Sequence, residues 1–341
     1  MGSKNSISSR DVAKEAGVSQ ATVSYILNNV KDIKVKPETR QAVLDAVKKL
    51  NYHPNQIARG MKLKKSMSIG VVTDRNVTNF YFMKALEGIR DGFQEENYSI
   101  TLLFNKHETI EEAEFIRYYN SNRIDGVIFV FASIDDDEIE YMNGIGLPYV
   151  IVDTYASGRN IYEVCTDHLA HIQSVVNLFK SKELKNIAYV GPISNQKIDK
   201  RFEAFKNALD LNGYPLREDF IVRISHADNE EVFNAIKNLF GNQELKPDAI
   251  IAGSPRYGMM AVKSCLMMGL KVPQEVSVVA IGSSNFFELF HPAISSIDLP
   301  LYDMGFNAAA MLLKIINGNA EEIGTEKTLL LPSELTLRES L

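Results

Sequence analysis

The stretch DVAKEAGVSQATVSYILNN, residues Asp11–Asn29, has the pattern of two short helices separated by a glycine turn. Ser8 is placed to cap the first helix, with the carboxylate of Asp11 three residues later near the positive helix end. Gly17 suits the sharp turn because glycine adopts positive φ without steric cost. Ser19 is a second capping candidate, at the start of the next helix. The sequence therefore predicts a helix, a tight turn and a second helix.

The second helix of this stretch has one apolar and one polar face. At about 100° per residue, Val23, Ile26 and Leu27 fall on one side, where they are expected to pack on neighbouring helices. The opposite face carries uncharged side chains: Gln20, Ala21, Ser24, Tyr25 and Asn28. In a helix-turn-helix the second helix enters the major groove, and such a face can approach base edges closely. A small helical bundle with a solvated polar face is the alternative.

A third helix is predicted behind the first two. Pro37 is placed in its first turn, and its apolar stripe consists of Val43, Leu44, Val47 and Leu50. This stripe would complete the core of a three-helix head.

The charge is divided unevenly along the chain. Residues 1–66 carry 13 Lys and Arg against 5 Asp and Glu, whereas residues 67–341 carry 24 against 38. A basic head on an acidic body indicates that only the head meets a polyanion.

The first 65 residues resemble the head of LacI–GalR family transcription repressors. Two stretches carry the resemblance, DVAKEAGVSQATVSYILNN and, over Pro37–Lys62, PETRQAVLDAVKKLNYHPNQIARGMK. The resemblance implies a helix-turn-helix DNA-binding domain over residues 1–54, followed by a hinge segment over residues 55–66. The implied partner is a double-stranded DNA operator, read by a homodimer as a pseudo-palindrome with half-sites about 10 bp apart.

The resemblance also assigns base contacts, with one departure from the family pattern. In the family the two residues after the capping serine contact bases, and here these are Gln20 and Ala21. The family usually has arginine at the position of Tyr25, and tyrosine cannot make the bidentate contact to guanine. We therefore expect Tyr25 to face an operator that differs from the family's usual one. Packing of Tyr25 against a neighbouring helix is the alternative.

The expected DNA contacts extend along the head and the hinge. They are Arg10, Ser19, Gln20, Ala21, Thr22, Ser24, Tyr25, Asn28, Arg40 and Tyr52 in the head, and Asn55, Gln56, Ala58, Arg59 and Met61 in the hinge. By the resemblance, the hinge becomes helical in the minor groove and Met61 wedges between base pairs. Gly60 should weaken that helix by about 0.5–1 kcal/mol relative to alanine. A flexible basic linker is the alternative for this segment.

From residue 68 onward, short apolar runs alternate with helical patterns. Eight runs predict strands, at residues 68–74, 99–104, 125–131, 149–153, 186–191, 219–224, 248–253 and 276–282. Continuous Val, Ile and Leu runs with helices between them favour parallel sheets covered on both faces. The predicted fold class is a small all-α helix-turn-helix head plus an α/β core of two doubly wound parallel-sheet lobes. The resemblance spans nearly the whole chain and implies a core of the periplasmic-binding-protein type.

The core is expected over residues 67–341, with each lobe built from two segments. The first lobe is expected at about 67–165 and 295–325, and the second at about 166–294 and 326–341. Such a core offers a cleft at the carboxyl ends of its strands, where a small-molecule effector would bind. The expected effector contacts are Asn79, Phe80, Tyr81, Asp153, Arg201, His226, Ser254, Arg256 and Ser283.

Two of these contacts follow from the resemblance. Arg201 in RFEAF matches the family's ligand-binding arginine, and His226 matches an aromatic position more loosely, with a surface histidine as the alternative. Where the family usually has AND and GFDD, this chain has AGSPRYG and AIGSS, so two acidic loop elements are missing. The loss of carboxylates beside a retained arginine favours an anionic ligand, because arginine binds phosphate or carboxylate bidentately. We therefore expect a phosphorylated sugar or organic acid, with a neutral sugar or no effector as alternatives.

The remaining signals argue against other classes of protein. CTDHLAH places Cys165, Asp167, His168 and His171 close together, but a fourth zinc ligand is not evident and Asp167 suits a helix cap. No nucleophile, base and orienting group assemble, so we expect no enzyme, metal or cofactor. We expect a cytoplasmic protein, because the chain has only two cysteines and no evident leader. We expect no membrane span, because its apolar runs are well short of about 18 residues. A solute-binding protein and a ligand-independent architectural DNA binder are the rival functions.

Overall fold

The computed structural model describes residues 7–27, 35–52, 65–74, 76, 78–104, 108–153, 161–193, 199–224, 228–241 and 245–341. The chain divides into two compact units, Met1–Met67 and Ser68–Leu341. We call them the head and the core. None of the helices within the described residues is long and apolar enough to cross a membrane.

The head contains helices α1 (Ser9–Ala16), α2 (Gln20–Leu27) and α3 (Pro37–Lys49). The predicted caps are confirmed. The backbone nitrogen and Oγ of Ser8 both donate to the Asp11 carboxylate, at 2.8 and 2.7 Å. Gly17 ends α1 with φ of 67°, and Ser19 Oγ accepts from the backbone nitrogen of Thr22 at 3.1 Å.

The head has its own small apolar core. The predicted inward face of α2 is confirmed, since Val23 and Ile26 are buried. In α3, Val43 is buried but Leu44 is 43% exposed, so the prediction for Leu44 was wrong. The observed stripe has the spacing i, i+3, i+4 and i+7 and consists of Val43, Ala46, Val47 and Leu50. Leu44 lies about 100° round the helix from Val43, which turns it away from that stripe.

The core contains two mostly parallel sheets, as predicted. In the described part of the chain each sheet has six strands. The first sheet has the order β11-β5-β4-β3-β1-β2, and the second has the order β12-β10-β9-β8-β6-β7. The strands are β1 (Ser68–Thr73), β2 (Ser99–Phe104), β3 (Gly126–Val130), β4 (Tyr149–Val152), β5 (Glu163–Thr166), β6 (Ile187–Pro192), β7 (Ile221–Ile224), β8 (Ala249–Ala252), β9 (Ser277–Ile281), β10 (Ser295–Asp298), β11 (Thr328–Leu331) and β12 (Glu334–Thr336). Only β12 pairs antiparallel among these described strands, and its partner is β10.

Helices cover the faces of both sheets. They are α4 (Phe80–Gly92), α5 (Glu114–Asn120), α6 (Asp136–Gly144), α7 (His168–Ser181), α8 (Lys200–Leu211), α9 (Asn229–Gly241), α10 (Pro255–Met267) and α11 (Leu301–Ile316). Strands β1, β3, β4, β8 and β9 are buried along their whole length. Burial on both faces explains why these strands appear in the sequence as unbroken apolar runs.

The points where the chain passes between the lobes differ from the expected ones. Strand β10 pairs with β9, so residues 295–298 belong to the second sheet rather than to the first lobe. Strand β11 pairs with β5, so residues 328–331 belong to the first sheet rather than to the second lobe. Helix α11 packs on α4, β3 and β4 and therefore lies in the first lobe. The mixed polar sequence of β10 did not mark it as a strand, which displaced the expected boundary.

Candidate nucleic-acid interface and interlobe cleft

The polar face of α2 lies on the outside of the head. Gln20 and Ala21 are exposed, and Tyr25 is 38% exposed. The Nε2 of Gln20 donates to Ser9 Oγ at 2.7 Å, which ties this side chain to α1. The outer face of α2 therefore presents the amide of Gln20, the methyl group of Ala21 and the aromatic ring of Tyr25.

The other expected head contacts occupy several environments. Arg10 is exposed on α1, while Thr22 and Ser24 are half-buried on α2. Arg40 is half-buried on α3, and Tyr52 packs against the head core. The remaining expected contacts, Asn28, Asn55, Gln56, Ala58, Arg59 and Met61, lie outside the described residues.

The cleft between the lobes of the core brings together three of the expected effector contacts. Tyr81 lies in the first turn of α4, Asp153 directly follows β4, and Arg201 lies in the first turn of α8. The Nη2 of Arg201 is 3.4 Å from Asp153 Oδ2, and its Nη1 donates to the carbonyl oxygen of Gly253 at 3.0 Å. An ion pair thus joins the end of a first-lobe strand to a second-lobe helix.

Asp153 contacts a second side chain in this cleft besides Arg201. Its Oδ1 is 3.3 Å from Nε2 of His168, the first residue of α7. Burial alone would raise the pKa of Asp153, but the His168 hydrogen bond and the charges of His168, Arg201 and Lys200 outweigh it and lower the pKa to about 2. The carboxylate is therefore ionised at neutral pH although it is buried.

Tyr81, also from the first lobe, lies near the Asp153–Arg201 pair. Its ring meets that of Phe131 edge-on, with centroids 6.4 Å apart. A Cβ atom added at Gly282, which follows β9, would collide with the Tyr81 hydroxyl oxygen and would lie 2.7 Å from Cζ. Burial raises the pKa of Tyr81, and the charge of Arg201 opposes that rise, so the phenol stays protonated at neutral pH.

Two hydroxyl groups in this region are buried without a hydrogen-bond partner among the described residues. They are the Tyr81 hydroxyl and Thr166 Oγ1. Thr166 ends β5, next to the strand that delivers Asp153. Buried polar groups are normally hydrogen-bonded, so these two oxygens are exceptions among the described residues.

The other expected effector contacts are placed differently. The Asn79 side chain caps α4 by accepting from the backbone nitrogen of Phe82 at 3.1 Å. Phe80 is 40% exposed and lines a groove on the outside of the first lobe with Met83 and Leu102. Asn79 and Phe80 therefore stay predictions as effector contacts.

The last four expected contacts belong to the second-lobe part of the sequence. Arg256 is exposed, and its Nη2 donates to Asn229 Oδ1 at 3.0 Å. This partner lies on α9, whereas Arg201 contacts Asp153 in the cleft. Ser254 precedes α10 and Ser283 follows Gly282, and both are half-buried. His226 lies outside the described residues.

Sequence reasoning missed His168 as a cleft residue. The polar residues of CTDHLAH have separate structural roles. Asp167 caps α7, and His168 pairs with Asp153. His171 Nε2 accepts from the backbone nitrogen of Ser333 at 2.9 Å. The pairing of His168 with Asp153 joins different lobes, and no local sequence signal marks it.

Comparison with known proteins agrees with this architecture. A family model for bacterial regulatory proteins of the lacI family matches residues 9–55. A model for the periplasmic binding protein-like domain matches residues 176–341. The transcriptional regulator RegA of Clostridium saccharobutylicum is 30% identical over 337 residues, covering 97% of this chain and 98% of RegA. Catabolite control protein A of Priestia megaterium is 28% identical over 333 residues, covering 97% of this chain and 98% of that protein.

Solved structures share the fold at lower identity. The lac repressor dimer bound to operator and the anti-inducer ONPF has a TM-score of 0.79 and 21% identity, and the match covers 98% of each chain. The transcriptional regulator CelR in complex with cellobiose has a TM-score of 0.70 and 23% identity, and the match covers 98% of this chain and all of CelR. With the helix-turn-helix head, the two-sheet core and a 30% identical regulator of nearly the same length, the chain belongs to the lacI family of bacterial regulatory proteins and is a DNA-binding transcription regulator.

Proposed function

We propose that the protein is a dimeric, cytoplasmic repressor of carbohydrate-related genes whose DNA affinity changes when a small molecule binds between the core lobes. The observation that carries the DNA-reading part is the exposed face of α2, where Gln20, Ala21 and Tyr25 stand on a basic head. In this proposal these three residues read base edges in the major groove. The hinge contacts reach the minor groove, and Arg10 and Arg40 position the head on phosphates.

An exposed apolar surface on the first lobe supports the dimer. Phe80 and Met83 on α4 and Leu102 and Phe104 on β2 are all large and exposed. Strand β2 is an edge of the first sheet. Monomeric proteins rarely expose continuous apolar patches of this kind, and a two-fold pair would cover both copies of one patch.

The charged and polar groups of the cleft support a polar ligand. Asp153 and Arg201 supply an acceptor and a donor, while the buried Tyr81 and Thr166 hydroxyls have no hydrogen-bond partner among the described residues. Arg201 supports the expected anion, whereas its pairing with Asp153 supports a neutral polyol. Thermal unfolding with cellobiose as a neutral probe and glucose 6-phosphate as an anionic probe separates these cases. A rise in melting temperature with cellobiose alone contradicts the anionic ligand.

In the proposed mechanism, ligand binding changes the angle between the lobes. This alters the separation of the two hinge segments in the dimer and hence the fit of the paired heads to the operator. By linkage, operator DNA and ligand change each other's affinity by the same factor.

Salt dependence tests the proposed DNA binding on a duplex of any sequence. We expect full-length protein to bind a random-sequence duplex, and to lose affinity by a factor of about 10³ or more between about 50 and 200 mM salt. The double variant Gln20→Ala/Tyr25→Ala should keep this nonspecific binding, since neither residue is charged. Absence of duplex binding at low salt contradicts the proposal.

A further inference from the structure

Three side chains of the second lobe hold two carboxylates of the first lobe. Asp153 contacts both Arg201 and His168, at 3.4 and 3.3 Å. Glu163 on β5 contacts Lys200, with Oε1 and Nζ 3.3 Å apart. We call these five residues the interlobe clasp.

The carboxylates of the clasp are almost completely removed from solvent. The side chains of Asp153 and Glu163 are 4% and 6% exposed. Burial raises the pKa of Glu163 although the Lys200 charge opposes the rise. A buried carboxylate is very costly without a paired charge, so the closed arrangement depends on the cations that the second lobe supplies. If the lobes separate, the same carboxylates regain water, and loss of a cation therefore favours opening.

The backbone at Asp153 is held in an unusual conformation. Its φ is 45°, in the left-handed region that few residues other than glycine adopt, although aspartate and asparagine do so more often than the rest. Such conformations persist where the surroundings hold them in place. Here the backbone nitrogen of Asp153 donates to the carbonyl oxygen of Val164 at 3.0 Å, and its side chain reaches the second lobe.

We propose that the interlobe clasp closes the cleft in the absence of any ligand, with Asp153 as an internal acceptor for Arg201. His168 and Lys200 are positioning residues in this device, because they hold the first-lobe carboxylates at the cleft. A ligand that enters must share Asp153 and Arg201 or separate them. The inference concerns the core alone, so its failure is distinguishable from failure of the DNA-binding proposal.

Interlobe distance measurement tests the proposal on the full chain. Asp137 on α6 and Glu230 on α9 are exposed, and each lies in the first turn of a helix that follows the carboxyl end of a strand in its own lobe. Spin labels on cysteines introduced at these two positions report the opening of the cleft by pulsed dipolar spectroscopy. The native Cys165 and Cys265 are buried, which limits unwanted labelling. Labelled chains are mixed with excess unlabelled protein, so that an assembly carries one labelled copy, and are dialysed without added sugar.

The clasp predicts one narrow distance peak for the labelled parent protein. Asp153→Asn and Lys200→Gln should each add a longer-distance population, increased by about tenfold or more over the parent. Glu203→Gln is the matched control, because Glu203 pairs with Lys206 on the exposed side of α8 within one lobe. Its distance distribution should equal that of the parent.

Two results overturn the proposal. One is a parent protein that is broadly distributed or open without ligand. The other is a folded Lys200→Gln variant with the parent distance distribution. Lys200 is partly exposed, so this variant should fold and provides the test even if Asp153→Asn does not fold.

Discussion

The Tyr81 hydroxyl occupies the space that a side chain at Gly282 would need. Gly282 has φ of 86°, and an added Cβ would collide with the hydroxyl oxygen and stand 3.0 Å from Cε1. Tyr81 belongs to the first lobe and Gly282 follows β9 of the second. The chain therefore replaces a second-lobe side chain at this point with a first-lobe phenol.

This relationship predicts a large effect of Gly282→Ala. Positive φ in alanine costs about 1–2 kcal/mol, and displacement of the packed Tyr81 ring adds about 1–3 kcal/mol. The free energy of unfolding in urea should fall by their sum. Gly146→Ala is the control, because Gly146 has φ of 69° with no atom within 4 Å of an added Cβ. Equal losses in the two variants would show that Tyr81 does not restrict position 282.

A second prediction concerns the pH dependence of stability at His171. Burial lowers the pKa of His171 below its usual 6.5, the Asp167 charge opposes that shift, and the His168 charge adds to it. The neutral ring also accepts from Ser333 on the crossover between β11 and β12. Since the unfolded chain binds the proton more readily, this contribution to stability is complete above about pH 6.5 and is lost as the pH falls toward the folded pKa.

The variant His171→Gln isolates this effect, because glutamine keeps an acceptor but does not titrate. Urea unfolding between about pH 7.5 and 5.5 should show the parent losing stability relative to the variant as the pH decreases. Parallel curves for the two proteins would mean that His171 does not titrate differently in the folded and unfolded states.

A third prediction addresses base reading by Tyr25. Arginine at this exposed position can make the bidentate contact to guanine that tyrosine cannot make. Tyr25→Arg should shift the preferred base toward guanine at one position of each half-site, by about 1–3 kcal/mol of discrimination. Binding assays on duplexes that differ at single positions measure the shift. An unchanged preference would place Tyr25 away from the bases, and Leu44→Arg, exposed on α3, controls for added charge.

Local chemistry was sufficient to predict much of the head and the central strands. The caps at Ser8 and Ser19 and the inward face of α2 depend on neighbours within four residues. Strands buried on both faces carry unbroken apolar runs, which a sequence displays directly. Both features can be predicted from neighbouring residues without knowledge of tertiary contacts.

Tertiary pairing accounts for what the sequence did not predict. Strands β5 and β10 are short or polar, and their pairing with neighbouring strands defines them more than their own sequence does. Phe80 and Tyr81 are neighbours of similar character, yet of the two only Tyr81 lies beside the Asp153–Arg201 pair. The contact of His168 with Asp153 depends on how two lobes meet, and no periodicity within either lobe encodes it.

Selection of bound sequences from a random duplex pool tests the central claim most directly. Full-length protein is incubated with the pool at about 150 mM salt, where nonspecific binding is weak. The account predicts recovery of a pseudo-palindrome with half-sites about 10 bp apart, and its loss in the Gln20→Ala/Tyr25→Ala variant. A pool without a common sequence, both with the protein alone and with a metabolite extract added, would contradict sequence-specific regulation by this chain.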